Sequence, residues 1–155
     1  MSWFKALAVI IVGCIVISGC WLLLSPKTIG DFGIYLVGND ELIISEKEII
    51  VYDGGLHEIT LTEEGIKRIE DLIQIVPFNG TRFVLRIRGE EIYRGWFLSP
   101  TSSLPCSEVV ILTFIQDNTI QIDAGYPSPS NFQGEDPRSN SEVFDYFMSI
   151  GKLMD

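Results

Sequence analysis

Five residues on one short stretch combine guanidinium and indole chemistry: Arg82, Arg86, Arg88, Arg94 and Trp96. Side-chain alternation along Arg82-Phe83-Val84-Leu85-Arg86-Ile87-Arg88 puts the three arginines and Val84 on one face. Phe83, Leu85 and Ile87 take the other. A returning strand, Ile92 to Leu98, adds Arg94 and Trp96 to the charged face. Guanidinium groups beside an indole could hold a carboxylate, a phosphate or an acidic partner. The competing reading is paired surface charge. Acids such as Glu48, Glu58 or Asp123 on neighbouring strands, or Asp136 on a covering loop, could neutralise the arginines.

Other groups offer less. His57 is the sole histidine. With Cys106 or a serine it could form the nucleophile–base pair of a hydrolase, but no Gly-x-Ser-x-Gly elbow is present. A surface histidine after the Gly54-Gly55 turn is the expectation. One histidine and Cys106 cannot build a zinc cage. Asp117-Asn118-Thr119 and Gly134-Glu135-Asp136 lack the alternating oxygen ligands of a calcium loop. No phosphate-cradling glycine loop occurs, and no cofactor or metal is expected. Asn79-Gly80-Thr81 is an N-glycosylation sequon, a candidate site at Asn79.

Charge narrows the partners. The 155-residue chain has 11 Lys and Arg, 21 Asp and Glu, and a net charge of −10. Lys5 and Lys27 belong to the N-terminal segment, so nine cations face 21 acids beyond it, a net of −12. Such a domain repels polyphosphate, which excludes nucleic acid as the main partner. Cys106 is the one cysteine outside the N-terminal segment. An intradomain disulfide is therefore not expected, and the core must supply the stability.

The N-terminus reads as a membrane element. Ala6 to Leu24 carries no charge, and about 20 such residues span a bilayer as a helix. Lys5 in front of it predicts export of the chain beyond residue 24. Residues 1–24 are either a signal peptide or a transmembrane anchor. Ile17-Ser18-Gly19-Cys20 looks like a bacterial lipobox, with Cys20 as the lipidated residue. Against that, Trp21-Leu22-Leu23-Leu24 continues the apolar run. Both readings place the protein at the cell membrane with its domain on the extracytoplasmic side. Residues 25–30 read as a linker and 31–155 as one domain.

Element signals within that domain are frequent. Strands are expected at Asp31–Val37, Leu42–Ser45, Glu48–Tyr52 and Glu58–Leu61. A helix comes next, with Thr62 as N-cap, Glu63 and Glu64 in its first turn, and Pro77 beyond its end. Ile66, Ile69, Leu72, Ile73 and Val76 form its apolar stripe. Gly89-Glu90-Glu91 is expected to close the hairpin, with Phe83, Leu85 and Ile87 opposite Phe97, Gly95 and Tyr93. A two-residue loop would instead set Arg94 against Leu85. Val109–Ile115 reads as a central strand and Thr119–Asp123 as an outer one. After a loop from Ala124 to Asn140, Ser141 caps a last helix with Val143, Phe144, Phe147 and Ile150 inward. The fold class is α+β, a mostly antiparallel sheet with two helices packed on one face.

Leu61-Thr62-Glu63-Glu64-Gly65 opening a helix, then Gly80 leading into Phe83-Val84-Leu85-Arg86-Ile87-Arg88-Gly89 and a second strand, resembles the periplasmic head region of the SecD protein-export subunits. The resemblance covers about Leu61 to Leu98. It implies an α+β fold in an extracytoplasmic setting. That family's strand ends in a neutral-to-acidic turn, whereas this one carries three arginines, so no functional residue is carried over. The functional expectation is a membrane-tethered, non-catalytic domain that binds an envelope protein. The alternatives are a receptor for a small anion at the Arg/Trp face and a hydrolase using His57.

Overall fold

The computed structural model describes residues 31–154. The membrane segment, Cys20 and the linker at 25–30 lie outside the described residues. Among the described residues no helix is long and apolar enough to cross a membrane.

Nine strands form one sheet: β1 Phe32–Leu36, β2 Leu42–Ser45, β3 Ile49–Asp53, β4 Glu58–Leu61, β5 Thr81–Ile87, β6 Glu90–Leu98, β7 Cys106–Leu112, β8 Thr119–Tyr126 and β9 Leu153–Met154. Their order is β2-β1-β5-β6-β7-β8-β4-β3-β9. All pairings are antiparallel except β6–β7 and β3–β9. Two helices complete the α+β fold, α1 Glu63–Ile75 and α2 Ser141–Ser149.

The sheet curls until its ends meet. β1 is second and β3 eighth in the order. In a flat sheet six spacings would set them about 29 Å apart. Yet the Phe147 ring of α2 stands 4.9 Å from both Phe32 of β1 and Tyr52 of β3. The chain passes between the two ends directly: three residues, Glu46-Lys47-Glu48, separate β2 from β3. Glu48 is buried there. Its carboxylate accepts from the Ser45 N–H at 2.7 Å and from the Ser45 hydroxyl, so it is not left bare in the interior. The Glu48 carbonyl also receives the Thr62 N–H at the start of α1. Inside the curl, Ile69 and Leu72 of α1 join Val143, Tyr146 and Phe147 of α2 and the inward residues of the strands in one apolar cluster.

Local expectations fare unevenly. Thr62 caps α1, its hydroxyl accepting from the Gly65 N–H at 3.2 Å. The α1 stripe is narrower than its spacing suggests, because Ile73 is exposed. Asn140 rather than Ser141 caps α2, with Tyr146 buried and Ile150 partly exposed. β8 runs on to Tyr126 and lies between β7 and β4, so it is not an outer strand. β7 is the middle strand, but spans Cys106–Leu112.

The hairpin register needs correction. Arg88 and Gly89 alone form the loop, both with positive φ, 53° and 83°. That is the tight turn favoured by twisted strands. Leu85 therefore opposes Tyr93, Phe83 opposes Gly95 and Thr81 opposes Phe97. A bulge at Ile92, between the pairs Leu85–Tyr93 and Arg86–Glu91, repairs the faces. It keeps Tyr93, Gly95 and Phe97 inward, and sets Arg94 against Val84 on the outer face. Gly95 is required, since an added Cβ would meet the Val109 carbonyl oxygen and the Phe83 ring.

Candidate functional site

The outer face of the hairpin collects Arg82, Arg86, Arg94 and Trp96 on β5 and β6. Arg88 leaves this face, because its positive φ puts it in the turn. Each remaining arginine has a carboxylate of its own. Arg82 pairs with Glu108 of β7. Arg86 meets Asp40 at 3.0 Å. Arg94 holds both oxygens of Glu91, at 2.7 and 2.8 Å, and that contact keeps the Glu91 carboxyl below its usual range. Glu48, Glu58 and Asp123 are not the partners, and Asp136 pairs with Arg138 instead. Two arginines also lie over rings, Arg82 at 5.1 Å from Trp96 and Arg86 at 5.0 Å from Tyr35.

Around Trp96 these contacts build a depression. β6 and β7 run parallel, Trp96 beside Val110. Parallel neighbours need a return crossing, and here residues 99–105 make it over the outer face. The Tyr126 hydroxyl fastens that crossing by donating to the carbonyls of Ser102 at 3.0 Å and Pro100 at 3.2 Å. The Trp96 indole N–H donates to Glu108 at 3.2 Å while Glu108 holds Arg82. The result is an open depression of about 300 Å³, walled by Trp96, Leu98, Leu104, Pro105, Cys106 and Glu108. Asn79, the sequon residue, also lines it. Burial pushes the Cys106 thiol up, away from the reactive thiolate.

The same end of the sheet exposes further apolar groups. Val37 donates its N–H to the Arg82 carbonyl, and Thr113 donates its N–H to the Leu98 carbonyl. Both anchor their neighbourhoods to the Trp96 end of the hairpin. Val37, Phe78 and Leu104 are exposed around it, while the exposed Phe114 lines a separate depression with Glu58, Gln116 and Gln121. At the hairpin's opposite end, the Arg88 N–H donates to the Asp31 carbonyl at 2.6 Å, where the described chain begins.

His57 is not alone at the surface. Its Nδ1 lies 3.0 Å from the Tyr52 hydroxyl. Burial first, then the Arg138 guanidinium, hold the imidazole below its ordinary pKa. Burial pushes the Tyr52 hydroxyl up to about 12. Arg138, mostly buried, grips Asp136 and donates to the Ile122 carbonyl at 2.8 Å. Sequence reasoning misses this group. Tyr52 reads as one more apolar strand residue, and Arg138 sits in what reads as a featureless loop. Among the described residues no three His, Cys, Asp or Glu gather to hold a metal ion.

No family model, no curated protein and no solved structure matches this chain.

Proposed function

We propose that this protein is a membrane-tethered, extracytoplasmic binding domain, non-catalytic, that docks an envelope protein at the Trp96 depression. One observation carries the reading. An apolar-walled depression and a fringe of exposed apolar side chains share one end of the hairpin, and the chain enters at the other. Five residue steps separate Arg82 from Ile87, about 17 Å of strand. A domain tethered through residues 1–30 would therefore present the depression away from the lipid. The uncharged run Ala6–Leu24, with or without acylation at Cys20, supplies the tether. The likeness of Leu61–Leu98 to SecD head regions supports the same setting.

Pairing of the arginines favours a protein partner over a small anion. A receptor for an anion would point free guanidinium groups into one concavity. Here Arg82, Arg86 and Arg94 are each matched with a different carboxylate. The hydroxyl within reach of His57 is that of Tyr52, held at about 12, which does not favour a hydrolytic nucleophile. The test is site-specific photo-crosslinking of the full chain in host membranes. A crosslinker at Leu104 should give one discrete protein adduct, and one at Met148 should not. Equal labelling from both positions, or none from Leu104, would refute docking at the depression.

A further inference from the structure

Phe132 packs the middle of segment 127–140 against the core, and Arg138 ties its far end to the sheet. Arg138 donates from Nη1 to the Ile122 carbonyl at 2.8 Å, and the Ile122 N–H donates to the His57 carbonyl at 2.9 Å. The N–H and C=O of a strand residue point to the same side. Arg138 and His57 therefore meet on one edge of β8, just past the point where β4 begins its pairing at Glu58–Gln121. The guanidinium takes the place a continuing strand would occupy.

The groups facing His57 come from four elements. Tyr52 and Asp53 belong to β3, Glu58 is the next residue in β4, β8 brings the Ile122 peptide and the Asp123 carboxyl, whose pKa burial raises and Arg138 lowers, and Asp136 and Arg138 come from the segment. Tyr93 of β6 lies buried near Tyr52. Asp53 and Asp136 are already engaged. Asp53 accepts from the Gly55 and Leu56 N–H groups at 2.9 and 2.8 Å. Asp136 is gripped by Arg138 from Nε and Nη2. A second cation here would find Asp53 and Asp136 in use and a guanidinium beside it.

We propose that protonation of His57 releases segment 127–140, by setting an imidazolium against the Arg138 that fastens the segment to Ile122. The neutral imidazole is the tied state, consistent with the depressed pKa that burial and Arg138 give it. Arg138 and its clasp of Asp136 stand next to Asn140, which caps α2 by accepting from the Glu142 N–H at 2.8 Å. Midway along, the segment reaches the depression, since the Gln133 N–H donates to the carbonyl of Ser107, another of its lining residues. Loosening of that wall rests on the docking reading above. The release itself does not.

Hydrogen–deuterium exchange of the full chain in micelles tests the release, at about pH 7.5 and about pH 5, across the range where an ordinary histidine titrates. After correction for intrinsic exchange rates, residues 127–140 should lose protection several-fold at the lower pH while β5 and β6 keep theirs. The midpoint should coincide with that of the His57 ring protons by NMR, which are unambiguous with one histidine in the chain. His57→Asn, which tolerates the positive φ of 57° and does not titrate, should abolish the pH dependence. Unchanged protection, a midpoint apart from that of the imidazole, or a response retained in His57→Asn would overturn the proposal. If the variant does not fold, agreement of the two wild-type midpoints decides alone. A release that leaves crosslinking at Leu104 unchanged would count against the coupling of the segment to the wall and not against the release, whereas loss of the Leu104 adduct at both pH values would count against the docking reading alone.

Discussion

The indole N–H of Trp96 reaches the Glu108 carboxylate at 3.2 Å across the parallel seam between β6 and β7. That same carboxylate holds Arg82, whose guanidinium lies over the indole. Three side chains from three strands thus brace one another, and two of them, Trp96 and Glu108, line the depression. Arg82 and Glu108 are each about two-fifths exposed, so their ion pair contributes little to folding, on the order of 1 kcal/mol or less. Glu108→Gln should shift the urea midpoint only slightly. It should nevertheless weaken the Leu104 adduct, because the indole and the guanidinium lose their common anchor. A large loss of stability in urea would mean that Glu108 serves the fold.

Phe147 belongs to the opposite category. It is buried and touches Phe32 and Tyr52, from the two ends of the curled sheet. Phe147→Ala should cost about 3–5 kcal/mol, the range for a large aromatic removed from a core. Chemical denaturation measures it. A cost near zero would contradict the curled closure around α2.

Acid should destabilise the protein through His57. Its folded-state pKa lies below the ordinary value of 6.5. The unfolded chain therefore binds more protons in the window below 6.5. The histidine contribution to stability is fully present above about pH 6.5, and is lost as pH falls from there through the folded-state pKa. The ring-proton titration should show a midpoint below 6.5, and His57→Asn should flatten this part of the stability profile. A raised midpoint would reverse the sign and contradict the burial described here.

Much of the fold is legible in the sequence because it rests on local patterns. Thr62, Glu63 and Glu64 announce α1, and the alternation of Phe83, Leu85 and Ile87 announces an inward face. The hairpin loop differs from expectation because Arg88 adopts positive φ and a bulge at Ile92 restores the faces. Neither event leaves a periodic trace in sequence. The two-residue strand β9 is too short for any pattern. The parallel β6–β7 seam depends on a short crossing that reads only as loop, and Arg82 and Arg86 find their partners 26 and 46 residues away in sequence, so Glu108 and Asp40 cannot be foreseen. Trp96 stands out by its residue type. The walls that enclose it, Leu104 and Pro105, read only as loop.

The tether makes its own prediction. Lipidation at Cys20 would remove residues 1–19 and add acyl chains. The intact mass of protein extracted from host membranes should show that species, and Cys20→Ala should abolish it. A full-length unmodified mass would leave residues 1–24 as a spanning anchor, with the domain on the same side.

Docking at the Trp96 depression is tested most directly by photo-crosslinking at Leu104 in host membranes, in the wild type and in Trp96→Ala. The account predicts one discrete adduct from Leu104, absent from Met148 and strongly reduced in Trp96→Ala. An adduct that forms equally well without the indole, or equally well from Met148, would contradict it.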